Sequence, residues 1–200
     1  MKRREAIAKV ALLLGGSIIG ANAFSKGLGL VHTPEQIVFS KEDELLLNEI
    51  GGTILPPIPG SPGAKSADIG AFMVMMVTDC YEEANQKIFL NGLNKIREDF
   101  KAAHSTSFMD ASHKTRLAFL QKLDDEQKKL NPAANAGGGN RRGQGNPQTP
   151  VHYFLMMKQL TLLGFFTSEV GATKALRYIE TPGAYRGCIP YKKGDKAWAT

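Results

Sequence analysis

The apolar residues of this 200-residue chain return every three or four positions through most of its length, and no segment alternates apolar with polar long enough to build a strand. From Asp68 onward, Ile69, Phe72, Met73, Met76, Val77 and Cys80 mark one face of a helix. A second run, Glu82 to about Ala103, turns Ile88, Phe89, Leu93, Ile96 and Phe100 inward, with Gly92 a weak or close-packed point. Ser112 to Leu130 repeats the pattern with Leu117, Leu120 and Leu123. Val151 to Ser168 carries Tyr153, Phe154, Met157, Leu160, Leu163 and Phe166 and is the most apolar helix after the N-terminal region. The spacing predicts an all-α chain, a compact domain of about five helices. Met73, Met75, Met76, Met156 and Met157 sit at helical spacing and read first as core, although Met also suits adaptable interfaces.

Punctuation limits the helices. Ser40 has the form of an N-cap, and Glu42, Asp43 and Glu44 follow where the helix dipole favours acids. Leu45, Leu46, Leu47 and Ile50 continue at helical spacing, and Gly51-Gly52 is expected to end that helix. Thr53 to Ala64, with Pro56, Pro57, Pro59 and Pro62, cannot prolong it. Asn131 to Pro150, rich in Ala, Asn, Gly and Gln around Arg141 and Arg142, offers no face to bury and is expected to be a flexible loop. Thr181 to Thr200, with Pro182, Gly183, Gly187, Pro190 and Gly194, is expected to be an irregular tail laid over the helices.

Residues 1–23 read as an export signal. Lys2, Arg3 and Arg4 form a charged start, Val10 to Ile19 a short apolar core, and Ala21-Asn22-Ala23 a small-x-small cleavage site. The Arg3-Arg4 pair and the weakly hydrophobic, Gly-containing core suggest the twin-arginine route, which carries proteins already folded. An uncleaved anchor would need about 20 apolar residues, more than this run supplies. The expected mature chain is one domain, 24–200, exported and either soluble or held at a membrane only through a partner. Losing residues 1–23 removes four basic residues and one acidic, and lowers the net charge from +6 to +3. Without that basicity, no basic stripe interleaved with aromatics remains to suggest nucleic acid.

Two cysteines, Cys80 and Cys188, lie far apart in a chain expected where disulfides persist. A bridge would tie a central helix to the tail and restrict the unfolded chain by a few kcal/mol. The alternative is one cysteine packed as a small apolar group and one exposed in the tail. Neither has the context of a thioredoxin-like site, an iron–sulfur cluster or covalent haem.

Catalytic chemistry finds little support. His32, His104, His113 and His152 lack the spacing of a zinc site, and His104 and His113 read as surface caps. Glu82-Glu83 and Asp124-Asp125 are adjacent on helices, point in different directions, and read as solvated faces rather than acid–base pairs. Gly51-Gly52 and Gly137-Gly138-Gly139 are not dinucleotide fingerprints. No catalytic, cofactor-binding or metal residue is assigned.

The C-terminal third carries a resemblance. Leu160-Thr161-Leu162-Leu163-Gly164-Phe165-Phe166-Thr167-Ser168-Glu169-Val170-Gly171, then Tyr178, then Thr181-Pro182-Gly183-Ala184-Tyr185-Arg186-Gly187-Cys188 resemble the gluconate 2-dehydrogenase subunit 3 family. Ile54-Leu55-Pro56, Pro62-Gly63-Ala64, Gly92-Leu93 and the twin-arginine start agree with it. The similarity spans most of the mature chain, and Thr161 to Cys188 is its most specific part; Asn131 to Pro150 looks like an insertion. The resemblance implies the small subunit of a periplasmic, membrane-associated dehydrogenase for sugars or sugar acids. In such a complex a large subunit holds FAD and oxidises the substrate, and a cytochrome c subunit takes the electrons. The small subunit carries no cofactor and brings the flavoprotein through the twin-arginine machinery on its own signal.

The residues fit that role. Tyr185, Tyr191 and Trp198 are aromatics of the kind that anchor interfaces, with Arg186 an ion-pair donor, although the same residues would serve to pack the tail on its own domain. Two rivals stand beside it. One is a stand-alone periplasmic scaffold or binding protein; the other is an enzyme using polar residues near Thr53 to Ala64.

Overall fold

The computed structural model describes residues 37–130, 151–181, 183, 184, 188, 190 and 192–199. The signal at 1–23 and the loop at 131–150 lie outside the described residues. Those described form five α-helices, α1 (Lys41–Ile54), α2 (Ile69–Cys80), α3 (Glu83–His104), α4 (His113–Leu130) and α5 (Tyr153–Thr167). A 3-10 turn, Ala64–Ala67, precedes α2, and a π-helical turn, Gly171–Ala175, follows α5. No strand is present among them, so the all-α expectation holds.

Helix α1 begins where its cap is built. Asp43 N–H donates to Ser40 Oγ at 3.1 Å, and Ser40 N–H donates back to Asp43 Oδ2 at 2.7 Å, a reciprocal capping box. Leu46, Leu47 and Ile50 are buried. Gly51 and Gly52 do not end this helix, contrary to the expectation: both lie inside it and are buried. A Cβ on Gly51 would reach Ile69 Cγ2 at 3.0 Å, and one on Gly52 would stand 2.6 Å from the Lys65 chain. The glycines thus let the 3-10 turn and α2 lie against α1, and the stop falls to Pro56 and Pro57. The loop beyond them is closed by paired Ile58 and Ser61 backbone hydrogen bonds at 2.9 Å each, and by Ala64 N–H to the Leu55 carbonyl at 2.9 Å.

Helix α5 occupies the centre and packs against α1, α2, α3 and α4. Phe154, Leu155, Met156, Met157, Leu160 and Phe165 are all buried, which places apolar side chains around most of its circumference. The expected inward Leu163 and Phe166 are instead 48% and 41% exposed. With no polar stripe in Tyr153–Thr167, the sequence leaves the rotational phase of the helix open. Helix α3 follows its pattern closely: Phe89, Leu93, Ile96 and Phe100 are fully buried. In α4, Leu117 faces outward and Phe119 replaces it beside Leu120 and Leu123. That exchange is explained by Phe100, whose ring lies edge-on to Phe119 at 5.1 Å and to Phe108 at 5.0 Å between centroids.

Gly92 is where α3 meets α5. A Cβ there would overlap the Cβ and ring of Tyr153, so the close-packed reading of this glycine is the correct one. Alanine is the better helix former by about 1 kcal/mol, yet overpacking costs roughly 1–3 kcal/mol. Gly92→Ala is therefore expected to lower stability in urea unfolding, and Gly92→Ala combined with Tyr153→Ala to lose less than the two single changes added. A gain in stability from Gly92→Ala alone would mean that the contact is not tight.

Candidate partner-docking site

The sequence-derived site residues separate into those the structure places and those it does not describe. Arg3, Arg4, Ala21, Ala23, Tyr185, Arg186, Tyr191 and His32 lie outside the described residues. Trp198 is placed, on its own domain: Arg177 N–H donates to the Ala197 carbonyl at 2.8 Å, and Ala199 N–H to the Arg177 carbonyl at 2.9 Å. The Arg177 guanidinium stands 4.8 Å from the Trp198 ring centroid, a cation–π contact. The indole keeps 45% of its surface exposed. Residues 192–199 thus form a strap latched to the segment leaving the π-helical turn.

Cys80 and Cys188 are both free and exposed in this structure, so no bridge joins them and neither is the buried apolar cysteine of the alternative. Cys80 ends α2 with its Sγ 4.0 Å from Met76 Sδ of the same helix. The histidines are local: His152 caps α5 by accepting from Phe154 N–H at 3.3 Å through Nδ1, and the His104 ring lies tilted against Phe100 at 4.6 Å between centroids. Burial pushes the His152 imidazole below its ordinary value. Among the described residues no cluster of three or more His, Cys, Asp or Glu could hold a metal ion, and no helix is long and apolar enough to cross a membrane.

Three carboxylates serve as pins between helices, among them Asp124, which sequence alone reads as part of a solvated face. Asp43 of α1 takes Arg97 of α3 at 2.5 Å. Glu49 of α1 pairs with Arg116 of α4 and, at 2.5 Å, with Lys65 of the 3-10 turn. Asp124 of α4 takes Lys158 of α5 at 2.7 Å, with Lys128 at 2.7 Å and the buried Gln127 at 3.1 Å completing its shell. Its neighbour Asp125 keeps the exposed face expected of it. Burial pushes the Asp43 carboxyl up, but hydrogen bonds from Arg97 and Ser40 outweigh it and hold the group below the usual carboxylate range. Asp124 behaves alike: burial raises it, and Lys128, Lys158 and Gln127 bring it below that range. A carboxylate held this way stays ionised and bonded, which suits a pin and not a proton carrier.

The concave surface lies where the strap, the π-helical turn and the proline loop converge. Pro57, Ile58 and Pro62 line one side of an open groove of about 500 Å³, and Thr173, Lys174 and Lys196 line the other. Lys196 Nζ donates to the Lys174 carbonyl and ties strap to turn. Ile58, at the loop tip, is 62% exposed. Sequence reasoning missed Ile58, Lys174, Arg177 and Lys196; the run Lys192, Lys193, Lys196 was the signal that would have drawn attention to them.

Comparison with known proteins matches the family described as gluconate 2-dehydrogenase subunit 3 over residues 41–183. The chain belongs to that family. The match covers α1 to α5 and the π-helical turn, so the bundle and its carboxylate pins are the subunit 3 domain itself, while Trp198 and Lys196 fall beyond the matched span. No curated protein and no solved structure matches the chain.

Two outcomes are expected. Asp43 and Asp124 have folded values below their unfolded ones, so their stabilisation is complete above about pH 4 and is lost as the pH falls through the depressed values. Unfolding free energy measured against pH is expected to fall below about pH 4, and less steeply in Asp43→Asn and Asp124→Asn, each about 1–2 kcal/mol weaker at neutral pH. An unchanged acid slope in both variants would remove the pins from the account. Trp198→Ala is expected to raise amide exchange across 192–199 about fivefold, the equivalent of about 1 kcal/mol, with α1 to α5 unaffected. Equal protection in both proteins would show that the latch holds nothing.

Proposed function

We propose that this chain is a non-catalytic, exported subunit that binds, stabilises and escorts a FAD-dependent dehydrogenase acting on a sugar or sugar acid. Family membership across residues 41–183 is the observation that carries the reading, because it names a subunit of a dehydrogenase complex. The twin-arginine start at Arg3-Arg4 and the Ala21-Asn22-Ala23 cleavage site supply the export half of the role. FAD belongs to the large partner subunit, and a cytochrome c subunit takes the electrons at the periplasmic face of the membrane.

The chemistry of the bundle supports the reading from the other side. Asp43, Glu49 and Asp124 are spent on joining helices, and His152 on capping α5. Because the twin-arginine route transports folded cargo, an escort has to hold its partner before crossing. A bundle pinned this way offers a fixed body for that grip.

Replacing Arg3 and Arg4 together by Lys is expected to keep both this chain and its flavoprotein in the cytoplasm, measured by fractionation and flavin fluorescence of the periplasmic extract. Arrival of the flavoprotein in the periplasm at the normal level would end the escort role.

A further inference from the structure

Charge is segregated along this chain. Residues 37–130 and 151–170 hold 12 Lys and Arg against 15 Asp and Glu, whereas the described residues from 171 onward hold five basic residues, Lys174, Arg177, Lys192, Lys193 and Lys196, against Glu180 and Asp195. The two sets of cations also differ in what they touch. In the bundle, seven of the 12 are ion-paired: Lys41, Lys65, Lys87, Arg97, Arg116, Lys128 and Lys158. None of the five C-terminal cations has a carboxylate partner among the described residues. Asp195 is turned back onto the strap, accepting from Lys192 N–H at 2.9 Å.

Two of these C-terminal cations, Lys174 and Lys196, line the groove whose other wall is Pro57, Ile58 and Pro62. The wall is preformed, since the Ile58–Ser61 pair and the Ala64–Leu55 bond fix the loop backbone. An exposed apolar tip in a basic border is complementary to one chemistry, an apolar side chain flanked by carboxylates. We propose that this groove is the docking site for an acidic surface segment of the flavoprotein subunit, with Ile58 meeting its apolar residue and Lys174 and Lys196 pairing with its carboxylates. The inference rests on the escort reading and adds where the grip lies and what the partner presents. The loop backbone, held by its own hydrogen bonds, offers a polypeptide segment one fixed apolar wall beside two cations.

The test uses the full chain, tagged and purified from its host with whatever flavoprotein it carries. Carbodiimide coupling of the complex is expected to join Lys174, Lys192, Lys193 or Lys196 to Asp or Glu of the flavoprotein, identified by peptide mapping. Lys174→Glu with Lys196→Glu is expected to weaken flavoprotein binding at least ~10-fold and to flatten its salt dependence. Lys114→Glu with Lys122→Glu, on α4, should leave binding unchanged. Circular dichroism confirms that each variant is folded, and Ile58→Ser, which keeps every charge, should weaken binding in its own right. Unchanged binding in Lys174→Glu/Lys196→Glu and in Ile58→Ser, with cross-links elsewhere, overturns the docking site while leaving the escort role standing. Absence of flavoprotein from the wild-type chain overturns both. Loss of binding to phosphatidylglycerol vesicles in the variant, with the flavoprotein retained, assigns the groove to the membrane and also overturns the proposal.

Discussion

The burial of α5 among four other helices is the constraint on which the rest of this structure depends. A segment with Phe154, Met156, Met157, Leu160 and Phe165 spread around most of its circumference has no stable place at a surface, so α1 to α4 are arranged to cover it and leave only the Leu162, Leu163 and Phe166 side partly open. Its two ends then become fixed points. The N-terminal end is set by the His152 cap and by Tyr153 lodged against Gly92. The C-terminal end is set by Ser168, whose hydroxyl accepts from Gly171 N–H at 3.0 Å and donates to the Phe165 carbonyl at 2.7 Å. The chain therefore leaves the core in a determined direction, and the π-helical turn, Arg177 and the latched strap are carried to the proline loop by it.

Polar contacts then decide how the covering helices sit. Hydrophobic burial is non-directional and would tolerate α1 sliding or turning over α5. The Asp43–Arg97 and Glu49–Arg116 pairs are directional and lie on the same helix, about two turns apart, so together they restrict α1 against α3 and α4. Asp124 does the same between α4 and α5. Arg116 also stands 5.7 Å from the centroid of the Phe108 ring and donates to the Met109 carbonyl at 2.9 Å, which brings the α3–α4 connection under the same control. Each of these carboxylates is partly shielded and bonded more than once, the circumstance in which an ion pair contributes more than at a free surface.

Elements with a contrast between faces were legible in the sequence, and those without it were not. Helix α3 alternates a clear apolar stripe with charged residues, and of the five residues the period turns inward Phe89, Leu93, Ile96 and Phe100 are fully buried and Ile88 is partly buried against them. Helix α5 was recognisable as a helix and as the most apolar one, but its phase was not, and Leu163 and Phe166 were assigned inward for that reason. Gly51-Gly52 looked like a stop because glycine weakens an isolated helix. The competing benefit, close approach of Ile69 and Lys65, is tertiary and has no local signature. The pins were missed on the same ground: Asp124 and Asp125 are neighbours of identical chemistry, and only the position of α5 distinguishes the one that meets Lys158. In the strap, Trp198 was found by its residue type, while Ile58 and Lys174 acquire meaning only when three segments far apart in sequence share one groove.

The two halves of the charge distribution answer different demands. A bundle benefits from satisfying the charges beside its core internally, because an unpaired cation there would be free to bond elsewhere and loosen it. The C-terminal cations have no carboxylate partner among the described residues, and they lie where few buried contacts depend on them. The strap and the π-helical turn meet that condition, being exposed and held by a handful of backbone bonds and one ring contact. Partners attracted to such a border would associate faster at low salt and then be selected by the apolar wall at Ile58, which long-range charge cannot imitate. Rigidity in the bundle and charge without carboxylate partners at its edge are thus complementary properties: the first fixes where the groove stands, and the second sets the chemistry it presents.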